Sequence, residues 1–194
     1  MTRIVVDDGS DDATGRVAAR AGARVVRHAI SLGKGAALRT GCDVAMTAGC
    51  DFIALMDADG QHRAADLPTL VWPLTQGRAD LALTFRSFTA DMPAAMRLGN
   101  WGLSSAFFLL FGVRFRDTQC GLRAFSADAY SRLRWQSNDY AVETEMLIRA
   151  ARLGLRVAEA PIDTVYHERY KGTTVADGAR IFAKMLHWRL APAG

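Results

Sequence analysis

Two carboxylates follow the longest uninterrupted apolar run before residue 80. Asp57 and Asp59 flank Ala58 and come directly after residues 52–56, a run typical of a strand buried on both faces. Side chains two residues apart in extended backbone project to the same side, so these carboxylates would converge. Such hard oxygen ligands suit Mg²⁺ or Mn²⁺, and Gln61 could add a carbonyl oxygen. An ordinary Asp-Gly turn would use the same residues, so the motif alone leaves both interpretations open.

Two further candidates follow other apolar runs. Asp8 ends a predicted strand and could accept hydrogen bonds from a nucleobase or ribose, or could cap the next helix. Lys34 lies between Gly33 and Gly35 at a predicted helix start. Backbone N–H groups and one ammonium there could bind a phosphate, although a simple helix-start turn has the same pattern.

Four arginines lie in or beside the later predicted loops. Guanidinium forks match phosphate geometry, so together these residues could form a phosphate-binding shell facing the metal. Each one by itself is also compatible with an ordinary exposed surface position. The four are Arg86, Arg97, Arg123 and Arg169.

Strands and helices alternate over the first 86 residues, a pattern that predicts an α/β fold with a mostly parallel sheet flanked by helices. Ligands of such sheets bind at the carboxyl ends of the strands, where the polar motifs collect. The length favours a single domain over residues 1–194, with an amphipathic helix at 175–190. The predicted strands are 3–8, 23–27, 52–56, 79–85, 113–116 and an extended segment within 155–166.

Several function classes lack their signatures. The triphosphate P-loop, the dinucleotide motif G-x-G-x-x-G and the EF-hand loop are absent, and no serine or cysteine has an evident partnered base. Three cysteines without a C-x-x-C pair predict a reduced, cytosol-facing protein. The net charge of +4 is only mildly basic, and we predict no nucleic-acid partner. Residues 98–113 fit a buried core helix better than a membrane element, and an interfacial role stays open.

Four motifs in this order resemble those of family 2 glycosyltransferases of the dolichyl- or polyprenyl-phosphate sugar synthase type. The resemblance covers nearly the whole chain. The motifs are Val5-Val6-Asp7-Asp8-Gly9-Ser10, Gly33-Lys34-Gly35, Met56-Asp57-Ala58-Asp59-Gly60-Gln61-His62 and Asp117-Thr118-Gln119-Cys120-Gly121-Leu122-Arg123.

This resemblance implies a GT-A (Rossmann-like) fold. It also implies inverting transfer of a hexose from GDP-mannose or UDP-glucose to a polyprenyl or dolichyl phosphate, with Mg²⁺ or Mn²⁺. The implied residues fall into four groups: Asp57, Asp59 and Gln61 for the metal; Asp8, Lys34 and Asp57 for the nucleotide; Arg86, Arg97 and Arg169 for the donor or acceptor phosphates; and Asp59, Arg123 and Arg169 for catalysis.

The family normally begins about one strand earlier than Met1, so we expect a sheet without its first strand. We expect the protein to act peripherally at the cytoplasmic face of a membrane, with residues 98–113 and 175–190 as candidates for touching lipid. The alternative is a truncated, non-catalytic remnant that binds a nucleotide or a membrane. A sugar nucleotidyltransferase is disfavoured because its glycine-rich N-terminal signature is absent.

Overall fold

A computed structural model describes residues 1–86, 94–163 and 175–190. The strands are β1 (Ile4–Asp7), β2 (Arg24–Arg27), β3 (Phe52–Leu55), β4 (Leu81–Arg86), β5 (Arg123–Ser126) and β6 (Val157–Ile162). The helices are α1 (Thr14–Arg20), α2 (Lys34–Thr47), α3 (Leu67–Thr75), α4 (Ala94–Phe111), α5 (Ala127–Leu133), α6 (Val142–Arg152) and α7 (Val175–Leu190).

The described strands form two sheets. β1 and β2 pair in parallel, and the larger sheet has the order β3-β5-β4-β6. β5 runs antiparallel to both β3 and β4, while β4 and β6 are parallel. β3, β4 and β6 therefore share one direction, and the predicted mostly parallel α/β sheet is confirmed with β5 as its antiparallel member. No described strand joins β1 to β3, although α2 contacts both.

Helices cover both faces of the larger sheet. Successive side chains of a strand point to opposite faces, and β4 is buried on both. Leu81 and Leu83 pack into the larger core cluster with α2 and α4–α7, whereas Ala82 packs into a smaller cluster with α3. This double burial explains why β4 begins with three consecutive apolar residues, Leu81-Ala82-Leu83.

The predicted strand at 113–116 is wrong. The chain between α4 and β5 has no regular structure, and Phe115 instead fills the core against Phe107 with a ring-centroid distance of 5.4 Å. The backbone N–H of Arg116 donates to the Glu159 carboxylate at 2.9 Å. A side-chain acceptor therefore satisfies a backbone donor that a neighbouring strand would otherwise have to pair.

The loop before α2 is built around Asp8. Its carboxylate accepts hydrogen bonds from the Leu32 and Gly33 backbone N–H groups, both at 2.9 Å, and from the Ser31 hydroxyl at 2.8 Å. His28 Nδ1 lies 2.6 Å from the same carboxylate. Burial opposes the charge, but these hydrogen bonds outweigh it and lower the pKa of Asp8 to about 2. Asp8 therefore fixes the loop that delivers α2.

The start of α2 is also packed against the loop 134–141. The Gly35 N–H donates to the Asn138 carbonyl at 2.8 Å, and the buried Trp135 indole donates to the Gly35 carbonyl at 2.9 Å. A Cβ at Gly35 would overlap the Ser137 carbonyl oxygen, so only glycine fits there. Arg39 donates to the Trp135 carbonyl at 3.2 Å. The first turn of α2 thus has a fixed position.

We predict that Asp8→Asn lowers the free energy of unfolding by about 1–3 kcal/mol at pH 7, because charge-assisted hydrogen bonds are lost. A carboxylate whose pKa is lowered in the folded state stabilises above its unfolded pKa, near 3.8, and loses that contribution as pH falls toward about 2. Urea titrations from pH 7 to pH 2 should show the difference from wild type shrinking below pH 4.

Asp11→Asn is the matched control, because Asp11 is exposed. Its effect should stay within about 0.5 kcal/mol at every pH. A deficit for Asp8→Asn that is independent of pH would contradict the role given to the Asp8 carboxylate.

Candidate active site

The ammonium of Lys34 joins two carboxylates from different elements. As the first residue of α2, Lys34 places its Nζ 2.7 Å from Asp57 Oδ2 and 2.5 Å from Glu143 Oε1. Asp57 follows β3, and Glu143 lies in the first turn of α6. Burial opposes the charge of Lys34, but Glu143 and Asp57 outweigh it and raise the pKa of the ammonium above its usual range. Lys34 is therefore a cation at neutral pH.

The loop 117–122 closes against Asp57. A Cβ at Gly121 would overlap the Asp57 carboxylate, so glycine at this position lets the carboxylate keep its present place. The Thr84 hydroxyl of β4 donates to the Leu122 carbonyl at 2.7 Å and holds the same loop. The predicted Asp117-to-Arg123 motif thus forms one wall of the site.

The residues proposed for the metal lie at the open side of this wall. Asp57 is about one-quarter exposed and Asp59 is exposed, with its Oδ1 accepting the Gln61 backbone N–H at 3.0 Å. This hydrogen bond closes a turn at Asp59-Gly60, so the Asp-Gly turn that was the alternative interpretation of the motif is present.

The described residues include no cluster of three or more His, Cys, Asp or Glu side chains that could hold a metal. Two carboxylates and an amide nonetheless fit Mg²⁺ or Mn²⁺, because such ions commonly complete their coordination with water and substrate phosphate oxygens. The Lys34 ammonium on Asp57 shows that the carboxylate already attracts a cation. The residues therefore fit the metal, and their role as its ligands stays a prediction.

Arg86 ends β4 as predicted, but its guanidinium binds a carboxylate of the protein. Nε donates to Asp117 Oδ2 at 2.6 Å and Nη2 donates to Asp117 Oδ1 at 3.0 Å. Both side chains are buried. The geometry assigns Arg86 to ordering the loop 117–122, and phosphate binding by this residue stays a prediction.

Arg123 requires a correction. Its side chain is fully buried, and its guanidinium donates to the backbone carbonyls of Thr118, Cys120 and Glu143 at 2.6–2.8 Å. An arginine enclosed in this way cannot touch a substrate, so the prediction of a catalytic group is replaced by a positioning role. Arg123 holds the loop 117–122 to the start of α6.

The other predicted residues are placed less centrally. Asp8 orders the loop before Lys34, and contact with a nucleotide stays a prediction. Arg97 has an exposed side chain in the first turn of α4. Arg169 lies outside the described residues, so its catalytic and phosphate-binding roles stay predictions.

Glu143 was not among the predicted site residues, although the sequence contains a signal for it. Met146, Leu147 and Ala150 follow it at helical spacings of three, four and seven, and all are buried. A carboxylate on the apolar side of a helix requires a partner. Its partner, Lys34, is more than 100 residues earlier, which is why the helix pattern alone does not identify the pair.

Sequence comparison relates this chain to proteins of a known family. Residues 2–133 match the family described as Glycosyl transferase family 2. A UDP-N-acetylglucosamine–dolichyl-phosphate N-acetylglucosaminyltransferase of Methanococcus voltae is 33% identical, over 94% of this chain and 83% of that protein. An undecaprenyl-phosphate mannosyltransferase of Micrococcus luteus is 30% identical, over 97% of this chain and 82% of that protein.

A solved structure has the same architecture. Glucosyl-3-phosphoglycerate synthase from Mycobacterium tuberculosis, in complex with Mn²⁺, UDP-glucose and phosphoglyceric acid, superposes with a TM-score of 0.76 at 25% identity. The superposition covers 98% of this chain and 69% of that one. Sequence and structure therefore agree that the chain belongs to glycosyl transferase family 2, a family of enzymes, and has a GT-A-type fold.

Proposed function

We propose that this chain is an inverting, metal-dependent hexosyltransferase. Its donor would be GDP-mannose or UDP-glucose, and its acceptor a polyprenyl or dolichyl phosphate. The observation that carries the proposal is the meeting of Asp57, Lys34 and the loop 117–122 at the carboxyl end of β3. The names of the relatives from M. voltae and M. luteus support the acceptor class.

The leaving group of such a transfer is a nucleoside diphosphate. Asp57, Asp59 and Gln61 would hold Mg²⁺ or Mn²⁺, which when bound neutralises charge on the diphosphate. Lys34 adds a fixed positive charge beside Asp57. The buried supports of the loop 117–122 fix the wall beside Asp57 before the donor arrives, so this wall needs little reorganisation during the transfer.

The acceptor phosphate is already an anion at neutral pH, so attack on the anomeric carbon needs no strong general base. Two anions must instead be held together against their mutual repulsion. Arg97 and Arg169 are the residues that we propose for this task. Arg86 contributes by keeping Asp117 and its loop ordered.

A lipid acceptor requires access to a membrane surface. Leu98, Trp101, Phe108 and Leu109 are exposed and fall on one side of α4, opposite the buried Asn100 and Phe107. α7 packs against α4 and exposes Phe182, Leu186 and Leu190, with Arg180, His187 and Arg189 also exposed.

Exposed apolar side chains beside basic ones are typical of helices that lie in a membrane interface. We therefore propose peripheral binding through α4 and α7, at the cytoplasmic face. Among the described helices, none has the length and hydrophobicity needed to span a bilayer.

We predict that adding a polyprenyl phosphate to the protein with Mg²⁺ or Mn²⁺ and a nucleotide sugar releases the nucleoside diphosphate. Chelation with EDTA should abolish the release. Asp59→Ala should lower the rate by about a hundredfold or more, because charge stabilisation of the leaving group is lost. A coupled assay of UDP or GDP release measures each case.

Asp51→Ala is the matched control, since Asp51 is an exposed aspartate at the other end of β3. Absence of turnover with either donor, together with calorimetric binding of UDP or GDP, would favour the non-catalytic remnant. Turnover with phosphoglyceric acid but not with the lipid would support the proposed glycosyltransferase activity and contradict the proposed lipid acceptor.

We also predict that Trp101→Ser combined with Leu109→Ser weakens binding to vesicles of phosphatidylcholine and phosphatidylglycerol by about tenfold or more, because apolar area is lost from the interface. Vesicle sedimentation measures the partition. Trp72→Ser, at an exposed tryptophan on α3, should leave it unchanged. Equal losses in both variants would contradict a surface confined to α4 and α7.

A further inference from the structure

Lys34 shares its ammonium between a buried carboxylate and a solvent-accessible one. The Glu143 side chain is 5% exposed and that of Asp57 is 26% exposed. We propose that Glu143 is a positioning residue that retains Lys34 when a divalent cation takes over Asp57, so that the ammonium leaves Asp57 without leaving the site. This inference rests on the proposed function, since it assumes that Asp57 binds the metal.

Glu143 is held in place independently of Lys34. Its backbone carbonyl accepts the Arg123 Nη1 hydrogen bond at 2.6 Å, and its side chain lies on the buried side of α6. Among the described residues, Glu143 Oε2 has no hydrogen-bond partner although it is buried. A buried carboxylate with one unsatisfied oxygen is costly, and the Lys34 ammonium pairs with its other oxygen, Oε1. Burial therefore disfavours the Glu143 carboxylate, and its ion pair with Lys34 offsets this cost.

Asp57 differs because it has another possible partner. Its carboxylate follows β3 and packs against Gly121, and its side chain keeps 26% of its surface exposed. The Lys34 ammonium occupies one face of this carboxylate, at Oδ2, as a monovalent cation. A divalent ion attracts the carboxylate more strongly than an ammonium does, so it can replace Lys34 there.

The cost of this replacement depends on what Lys34 contacts afterwards. With Glu143 present, the ammonium keeps a charged partner and remains beside the diphosphate. Tyr140 adds an aromatic face, with its ring centroid 5.7 Å from Nζ. Without the Glu143 charge, Asp57 is the one carboxylate among the described residues that still pairs with the ammonium. A metal that binds Asp57 then leaves Lys34 without a charged partner. Glu143 therefore favours metal binding through Lys34.

Mn²⁺ binding, followed by the electron paramagnetic resonance of the unbound ion with and without UDP, tests this role. Glu143→Gln should weaken Mn²⁺ binding by about tenfold, within the range of coupling between contacting charged groups. In the Lys34→Met background the same substitution should change binding less than about twofold, because no ammonium then competes for Asp57.

Two features separate this role from a general charge effect. Asp139→Asn removes a carboxylate four residues earlier that pairs with Lys184 at 2.7 Å, and it should leave Mn²⁺ binding unchanged. The Lys34→Met/Glu143→Gln variant removes one positive and one negative charge together, so the net charge of the site is unchanged. Equal losses from Glu143→Gln with and without Lys34, or no loss at all, would overturn the proposal.

The lysine ammonium signals offer a second measurement, because the chain has only three lysines. In nuclear magnetic resonance of ¹⁵N-labelled protein, the Lys34 signal should stay protected from exchange when Mg²⁺ and UDP bind to the wild type. In Glu143→Gln it should lose that protection. Neither measurement involves sugar transfer, so an inactive enzyme that bound Mn²⁺ as described would refute the proposed function and not this inference.

Discussion

The contact of one ammonium with two carboxylates is the interaction on which the site depends. Asp57 and Glu143 both lie within hydrogen-bond distance of the Lys34 nitrogen, although they come from a strand end and a helix start. Without a cation between them they would repel each other in a partly buried space. The surrounding loops serve to bring these three side chains together: Asp8 orders the approach to α2, and Arg123 joins the loop 117–122 to α6.

Much of this arrangement follows from local sequence. The predicted residues Asp8, Asp57 and Arg86 lie at or just after the ends of predicted strands, and the structure confirms these strands. The prediction that β3 is buried on both faces is wrong, because its side chains alternate between exposed and buried. Lys34 begins a helix after a glycine, as its motif indicates. The helices and strand ends could be predicted because their signals lie within a few residues. These signals are the spacing of apolar residues and the glycine and polar residues at the ends of elements. The α/β class follows from their alternation.

What could not be predicted depends on contacts between distant segments. Arg86 donates to Asp117 and Arg123 donates to the backbone carbonyl of Glu143, and these partners are 31 and 20 residues away in the sequence. Whether an arginine faces solvent or supports a loop is decided by its position in the assembled sheet. The antiparallel direction of β5 is likewise a property of its neighbours, because a four-residue strand has the same alternation in either direction.

The contact between the start of α2 and the loop 134–141 has a consequence for exchanging parts among relatives. Gly33 and Gly35 approach the backbone of residues 137–138 too closely for any side chain, and Arg39 reaches the same loop from the next turn. Neither segment can change its path alone. Residues 33–39 and 134–141 therefore have to match each other, and a chimaera of two relatives would have to take both segments from the same parent.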